Sequence, residues 1–384
     1  MILSKAAPYR RLFAAQSHVF TEDIVLERFI ITLAYLHQVK SAASNMNKKI
    51  KFAIIGCGKV SPKHAESLKS IPSAELTAVC DKNEDRAKSF AKKYNCRHYA
   101  DYNELLKKEK DADCVIVCTP HAHHAEITIS SANAGKHVVT EKPMAMNLEE
   151  ADKMIAACKK NNVKLFVVKQ NRYNEPIKRL KDAINQGRFG KIFYGNTTVY
   201  WSRPQEYYDE DPWRGTKADG GVLMNQASHH VDMLRWLMGD VESIKATTGT
   251  LTHKIESEDT GLVILKFRNG ALGTIVATTC VFPHNLEGSV TIMGTKGTVK
   301  VGGVALNKID IWNFEDWNND DEAIKTSQNP PNVHAFGHLE YLKEVVESIE
   351  NDTPPKVDGV EGRKTLELIN NIYKSAKFNK EICL

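Results

Sequence analysis

The feature that most constrains this chain is an apolar strand that runs through a glycine-rich turn into a helix. The run Ile50–Ile55 leads into Gly56-Cys57-Gly58-Lys59-Val60-Ser61, and residues 61–70 continue with helical spacing. In such a unit the helix N-terminus faces the turn, and the strand begins a parallel sheet. The pattern therefore predicts a doubly wound α/β domain that starts near residue 49.

The turn has the chemistry of a dinucleotide site. Gly56 allows the tight turn, Gly58 lets the backbone approach a pyrophosphate, and Ser61 is small enough for close packing of helix on strand. We also expect Ser61 to cap the helix. Asp81 ends the next strand 25 residues after Gly56, where a carboxylate binds both ribose hydroxyls and repels a 2′-phosphate. This favours NAD over NADP, although Lys82 lies beside it.

Apolar runs alternate with helical stretches as far as about residue 175. We predict further strands at 76–80, 114–118, 137–140 and 165–169, and helices at 84–94, 122–134 and 148–161. Short apolar strands without polar alternation indicate a parallel sheet that is covered on both faces.

The pattern changes after about Pro176. A helix at 177–186 and another at 223–238 accompany long strands at 192–202, 241–249, 261–267, 270–279, 288–294 and 297–301, and helices return at 339–350 and 363–377. Runs of strands indicate an antiparallel sheet. We predict a Rossmann domain over residues 49–175 and an α+β domain with an open, mainly antiparallel sheet over residues 176–384.

The first 48 residues differ from the rest and are predicted to be an extension. Three interpretations stay open: Met46 as the true start, a short extra helix over Ile24–Gln38, or a targeting segment.

Composition excludes several functional classes. The 384 residues suit two domains, and the net charge of +5 is too small to indicate nucleic-acid binding. No apolar run approaches the ~18–20 residues that a membrane span needs. The eight cysteines contain no C-x-x-C pair, so we expect reduced thiols in a cytoplasmic protein.

Two further segments leave the carboxyl ends of predicted strands, where ligands of such sheets bind. Thr119-Pro120-His121-Ala122-His123-His124 contains three histidines, but no cysteine or acid is spaced to complete a metal site, so no metal is predicted. Glu141-Lys142-Pro143 follows the next strand, and its lysine could polarise a hydroxyl or stabilise an alkoxide.

The segment Gly220–Asp232 combines two glycines with a helical pattern of polar residues. Asn225, His229 and Asp232 are spaced i, i+4 and i+7, which predicts one helix face. His229 could accept a proton near neutral pH, although a buried structural histidine is the simpler interpretation of this residue alone.

In this order, the motifs resemble the Gfo/Idh/MocA family of sugar and polyol dehydrogenases. The resemblance covers about residues 49–377 and includes Trp213-Arg214. It implies NAD as cofactor, Lys142 as the active-site lysine, His229 as the catalytic histidine and frequent oligomers, a dimer or tetramer here. The residues expected at the cofactor are Gly56, Gly58, Lys59, Val60, Asp81, Thr119, Pro120, His121, His124, Glu141, Lys142, Gln170, Trp213 and Arg214.

Three positions depart from the family pattern. Asn225 stands where aspartate is frequent, Ala227 replaces glycine, and His121 replaces asparagine. Because asparagine cannot take a proton, proton removal is expected to fall on His229 or Lys142, with Asn225 orienting the substrate or the imidazole.

Within the family, Lys169–Asn174 and Asn225–His229 are most similar to bacterial enzymes that oxidise C3 of UDP-N-acetyl-glucosaminuronic acid for surface polysaccharide. A diphosphate and a carboxylate need cations and amide donors. The expected substrate residues are Lys142, Lys169, Asn171, Arg172, Arg203, Asn225 and His229. Oxidation of a free sugar or inositol, a non-catalytic regulator on the same fold, and a non-redox reaction with tightly held NAD stay as alternatives.

Overall fold

The computed structural model describes residues 49–211, 213–303, 305–326 and 333–384. The predicted extension over residues 1–48, with its helix Ile24–Gln38, lies outside these residues.

The first sheet is parallel and has six strands in the order β3-β2-β1-β4-β5-β6. This is the doubly wound order of a Rossmann domain, as predicted. Its strands are β1 (Ile50–Ile55), β2 (Ala74–Cys80), β3 (Arg97–Tyr99), β4 (Cys114–Val117), β5 (His137–Thr140) and β6 (Leu165–Val167).

Five helices connect these strands, and a sixth leads to the second sheet. They are α1 (Ser61–Lys69), α2 (Glu84–Tyr94), α3 (Tyr102–Lys108), α4 (His124–Asn133), α5 (Leu148–Lys160) and α6 (Glu175–Asn185). All four residues of β4 are buried, which explains why this strand is continuously apolar. The short elements β3 and α3 were not predicted, because their residues are largely exposed and polar.

The second sheet has eight strands in the order β13-β12-β11-β7-β10-β9-β8-β14. Only β7 and β10 pair in parallel, so the sheet is mainly antiparallel, as predicted. Its strands are β7 (Ile192–Tyr200), β8 (Val241–Gly249), β9 (Thr260–Phe267), β10 (Leu272–Thr278), β11 (Glu287–Gly294), β12 (Gly297–Gly302), β13 (Lys308–Phe314) and β14 (Ile382–Cys383).

Helices cover one face of this sheet. The remaining helices are α7 (Gln205–Asp209), α8 (Ser228–Met238), α9 (Asn319–Thr326), α10 (Val333–Glu350) and α11 (Gly359–Phe378). Helix α8 packs on β7 and α11 on β8, while the opposite face exposes alternate residues of β9. Helix α10 returns to pack against α1 of the first sheet, so the two sheets share the C-terminal helices.

All eight cysteines are free, and five of them are buried. None of the described helices is long and apolar enough to cross a bilayer.

Candidate functional site

The glycine turn has the backbone geometry that a dinucleotide needs. Gly56 has φ +98°, and a Cβ added there would lie 2.6 Å from the carbonyl carbon and oxygen of Cys118. A side chain at this position is therefore excluded twice, by conformation and by space. An added Cβ on Gly58 meets nothing within 4 Å, so this part of the turn is open to a ligand.

The start of α1 differs from the prediction that Ser61 caps it. The N-cap is Val60, without a side-chain cap, and Ser61 Oγ instead donates to the carbonyl of Gly58 at 2.7 Å. Pro62 lies in the first turn, which contains no acidic residue. The first N–H groups of the helix thus lack a side-chain acceptor, which suits an anionic ligand.

Asp81 ties the end of β2 to the glycine turn. Its Oδ2 accepts from the Cys57 amide at 2.9 Å, and its Oδ1 accepts from the Asn83 amide at 2.8 Å. The guanidinium of Arg86 lies 3.5 Å from Oδ2. Arg86, five positions after Asp81, is thus a second neighbouring cation besides Lys82, and no motif indicated it.

A loop of the second half of the chain lies beside the glycine turn. Lys59 Nζ is 3.5 Å from Asp211, whose carboxylate also binds Arg214 at 2.6 Å. Arg214 is buried, stacks 4.1 Å over the ring of Tyr207 and donates to its carbonyl. The predicted cofactor residues Lys59 and Arg214 are thereby linked through one carboxylate.

The predicted loop after β4 makes a second connection between the two halves. The His121 amide donates to Asp219 Oδ1 at 3.0 Å, and its Nδ1 lies 3.0 Å from Oδ2. The ring of Trp213 meets the His121 ring edge to face at 5.8 Å. His121, Trp213 and Asp219 therefore join where the two halves meet, beside Thr119 and Pro120.

His124 has a structural environment. Its Nδ1 contacts the carbonyl of Pro143 at 2.8 Å, and its Nε2 contacts that of Thr119 at 2.9 Å. A neutral imidazole donates through one of these nitrogens only, and His124 packs between the loops after β4 and β5.

Lys142 meets the second half of the chain directly. Its Nζ donates to the carbonyl of Asn225 at 2.9 Å, and its peptide bond to Pro143 is cis. Burial lowers the pKa of Lys142, while the charges of Glu141 and Asp219 oppose that change. An amine of lowered pKa can serve either as a charged donor or as a base.

The predicted helix over residues 223–238 is interrupted. Val222–Gln226 forms a π-helical turn, and α8 begins only at Ser228. Asn225 therefore does not share a regular helix face with His229, which corrects the i, i+4, i+7 interpretation. The backbone carbonyl of Asn225, rather than its side chain, is what contacts Lys142.

Glu258, which no sequence motif indicated, stabilises this turn. Its carbonyl accepts from the Val222 amide at 2.9 Å, and its Oε1 accepts from the Leu223 amide at 3.0 Å. An added Cβ on Gly221 would lie 2.2 Å from the Glu258 carbonyl, so glycine is required there by close backbone approach. No local sequence pattern connects positions 221 and 258.

His229 lies next to Gln170, another predicted cofactor residue. Gln170 Nε2 is 3.1 Å from His229 Nε2. With the amide rotated so that Gln170 Oε1, which otherwise has no partner, faces the ring, His229 Nε2–H donates to this oxygen and the lone pair of Nδ1 stays free. Burial, together with the positive charges of Lys142 and Lys169, holds the pKa of His229 well below its usual value. The imidazole is therefore neutral at physiological pH and able to accept a proton.

An ion-pair network lies behind His229 and consists of Lys169, Arg172, Asp232, Arg235 and Glu361. Arg172 binds both oxygens of Asp232, at 2.8 and 2.7 Å, and also Glu361. Lys169 Nζ lies 3.3 Å from Asp232, and burial lowers its pKa to about 8.

The network changes how two predicted substrate residues are interpreted. Lys169 and Arg172 are only 4% and 6% exposed, and acidic partners already occupy their charges. We therefore assign them to supporting α8 and His229. Asn171, which lies between them in the sequence, is half-buried.

Arg203, like Lys142, is a predicted substrate cation that stays partly exposed. Its guanidinium stacks over Trp201 at 5.1 Å and Tyr207 at 5.5 Å, and it donates to Gln226 Oε1 at 3.1 Å. Gln226 follows Asn225, so Arg203 adjoins the turn that contacts Lys142. Trp201, Tyr207 and Gln226 were not predicted.

The residues present fit a dinucleotide. The open turn at Gly58 and the uncapped start of α1 suit a pyrophosphate. The carboxylate of Asp81 suits the hydroxyls of a ribose. Among the described residues, Thr119 Oγ1 is a buried hydroxyl without a hydrogen-bond partner, at the strand end where such a ligand lies.

Comparison with known proteins agrees with this geometry. Residues 50–169 match the NAD-binding Rossmann-fold domain of the Gfo/Idh/MocA oxidoreductase family, and residues 181–384 match its C-terminal α/β domain.

Among curated proteins, the chain is similar to myo-inositol 2-dehydrogenase of Thermotoga maritima. The two are 29% identical over 347 residues, which span 87% of this chain and 98% of that enzyme.

Among solved structures, it is similar to two WlbA dehydrogenases, each crystallised in complex with NADH and UDP-GlcNAcA. The protein from Bordetella pertussis is 43% identical, with TM-score 0.82, and the match covers 88% of this chain and 99% of that one. The protein from Chromobacterium violaceum is 45% identical, with TM-score 0.83, and the match covers 88% and 96% of the two chains.

Proposed function

The chain belongs to the Gfo/Idh/MocA oxidoreductase family and binds NAD, and on that premise we propose that it oxidises C3 of UDP-N-acetyl-glucosaminuronic acid to a ketone. The observation that carries the proposal is the 43–45% identity, over nearly the full length, to two dehydrogenases that bind UDP-GlcNAcA. Lys142, the Asn225 turn and the His229–Gln170 pair form the site that we assign to the reaction.

The glycine turn, Asp81 and Thr119 would hold the cofactor, which would supply the hydride acceptor. The charged Lys142 donates to the reacting oxygen and stabilises the negative charge that develops there. The neutral imidazole of His229 accepts the hydroxyl proton, and Gln170 orients the ring. The carbonyl of Asn225 fixes the ammonium group and takes no proton.

Arg203 is our candidate for the diphosphate. It is a partly exposed guanidinium that two aromatic rings hold beside the Asn225 turn, and such a planar cation suits phosphate oxygens. A free sugar or inositol has no group that needs this charge.

A substrate screen tests the proposal. The purified protein with NAD is given UDP-N-acetyl-glucosaminuronic acid, UDP-glucuronic acid, UDP-N-acetyl-glucosamine or myo-inositol, and NADH absorbance is followed. We expect the first to have the highest kcat/KM and its product to be the 3-keto sugar. Faster oxidation of myo-inositol than of any UDP-sugar would contradict the proposal.

Oxidation of a free sugar or inositol is the second candidate, since the similarity to myo-inositol 2-dehydrogenase spans 98% of that enzyme. Arg203→Gln separates the two. It should lower kcat/KM for a UDP-sugar by about tenfold or more, as expected for a lost charged contact of ~1.5–3 kcal/mol. It should leave a free polyol unaffected.

We also propose that the open face of the second sheet joins copies of this chain. Phe193, Leu262, Ile264 and Leu272 are 49–61% exposed on it. Apolar residues in such a row indicate an interface. Ile264→Asp should reduce the mass measured by light scattering.

The domain boundary at residue 175 and the role in polysaccharide synthesis stay predictions.

A further inference from the structure

A buried carboxylate lies directly beside Lys142 and is approached by two histidines. Glu141 is 6% exposed, and its Oε1 accepts from His64 Nε2 at 2.8 Å. The Nε2 of His338 lies 3.8 Å from the same oxygen, and the two imidazole rings meet edge to face at 5.1 Å. The second oxygen, Oε2, accepts from the backbone amide of Lys142 at 3.1 Å.

The three side chains come from distant parts of the chain. His64 lies on α1, Glu141 follows β5, and His338 lies on α10. Both histidines are at most 2% exposed. The cluster thus joins the helix of the glycine turn, the segment that carries Lys142 and a C-terminal helix.

A buried carboxylate is costly unless hydrogen bonds and charges compensate it. The two histidines hold the pKa of Glu141 well below its usual value, against the effect of burial. Burial lowers the pKa of His64, so this imidazole donates as a neutral group. The carboxylate is therefore ionised, and its negative charge acts on Lys142 in the next position of the chain.

We propose that His64 and His338 are positioning residues that keep the ionised carboxylate of Glu141 next to Lys142, and that this charge keeps the Lys142 ammonium group protonated during catalysis. The inference rests on the role proposed above for Lys142. It extends the site to two histidines that no motif of the sequence indicated.

Other titratable groups also face this pair and are left unchanged in the test. They are Lys63 on α1, Cys118 and His124 after β4, Asp219 before the π turn, His229 and His230 on α8, and Tyr341 on α10.

The cluster also has the composition of a metal site, because its ligand atoms lie within 4.8 Å of one another. In the structure, His64 Nε2 and Glu141 Oε1 are joined by a hydrogen bond of 2.8 Å, and the proposal takes the cluster in this form. Stoichiometric zinc or another divalent metal in the purified protein would overturn the positioning role.

The test measures how Lys142 ionises, independently of any substrate. Competitive acylation of lysines across a pH series, read by mass spectrometry, gives the titration midpoint of Lys142, with the exposed Lys69 as internal reference. Glu141→Gln removes the charge in a side chain of the same shape. It should lower the midpoint by about one pH unit, which is the size of an ordinary charge effect.

The histidines are then tested in matched pairs. His64→Phe and His338→Phe remove the ring nitrogens and should lower the Lys142 midpoint, whereas His64→Gln and His338→Gln retain an amide N–H and should restore it. Melting temperatures identify any variant that does not fold, and Glu141→Gln decides the question in that case. An unchanged midpoint in Glu141→Gln overturns the inference. A lowered midpoint in a protein that oxidises no UDP-sugar would support it while the proposed substrate fails.

Discussion

The two halves of this site are built by different physical means. The cofactor half depends on backbone: a glycine with φ +98°, an uncapped helix start and side chains that follow buried strands. The half around His229 depends on side chains that come from far apart, since Asp232 is held by Arg172 and Lys169, and the π turn is held by Glu258. Local motifs describe the first half, whereas the second exists only once the chain has folded.

This difference implies different responses to substitution. Changes in the cofactor half should affect which dinucleotide binds and how tightly. Changes in the His229 half should affect either catalysis or stability, depending on whether the residue contacts substrate or belongs to the ion-pair network.

The largest effect is expected at the residue that we assign as proton acceptor, His229, and at the residue that stabilises the developing negative charge, Lys142. His229→Ala and Lys142→Met should each lower kcat by ~10²–10⁴, the usual loss of acid–base catalysis, with NAD binding nearly intact. Steady-state kinetics and a fluorescence titration with NADH measure the two quantities. His98→Ala, on the exposed edge strand β3, is the control. A loss below tenfold in either variant would remove that residue from the mechanism.

Substitution in the ion-pair network should cost a comparable free energy, but this cost should reduce the free energy of unfolding rather than the rate of catalysis. Asp232→Asn leaves Arg172 and Lys169 without a full partner in the interior, which costs roughly 3–5 kcal/mol. Urea unfolding measures the loss. Asp316→Asn, which weakens a largely exposed contact with Arg188, should have little effect. Equal losses in both variants would show that the network is not a special support of α8.

On each limb of its pH profile, kcat should change by up to tenfold per pH unit. The profile distinguishes the two candidate bases, His229 and Lys142. Because the pKa of His229 is held well below 6.5, the neutral imidazole persists through about pH 6–7, and activity should fall only at lower pH. The sequence alone placed this limb near pH 6–7. The pKa of Lys142 is lowered from 10.5, so its charge and the activity should be lost as pH rises toward that value.

The rival mechanism, in which Lys142 is the base, predicts the opposite change of kcat at alkaline pH. If Lys142 is the base, kcat rises as pH increases through its lowered pKa. An acidic limb that persists in His229→Gln would likewise show that the imidazole is not the proton acceptor.

The sequence predicted the fold and the backbone-built half of the site because both follow local rules. The glycine turn, the residue after β2 and the segments that follow β4 and β5 all lie where parallel strands end. Some missed elements are short or polar, such as β3, and others depend on tertiary packing, such as the π turn, which no periodicity of 3.6 residues predicts. The seven-residue strand β13 was also missed, although it contains apolar residues.

The side chains that were missed share one property. Glu258, Glu361 and His338 lie 37, 189 and 197 positions from their respective partners Gly221, Arg172 and Glu141, so each contact exists only once the chain has folded. Conversely, the motif that contains the predicted substrate residues Lys169 and Arg172 does not reveal that both face the buried carboxylate of Asp232.

The smallest expected effect is the cofactor preference that Asp81 controls. Asp81→Ala removes the carboxylate that repels a 2′-phosphate and leaves Arg86 nearby, so relative affinity should move toward NADP by about tenfold, or ~1.4 kcal/mol. NAD affinity should also fall, because the Cys57 and Asn83 amides lose their acceptor. Asp81→Asn separates these causes, since it removes the charge and retains an oxygen for one amide. Titration of both dinucleotides by fluorescence gives the ratio, and wild-type preference for NADP would show that Lys82 and Arg86 outweigh Asp81.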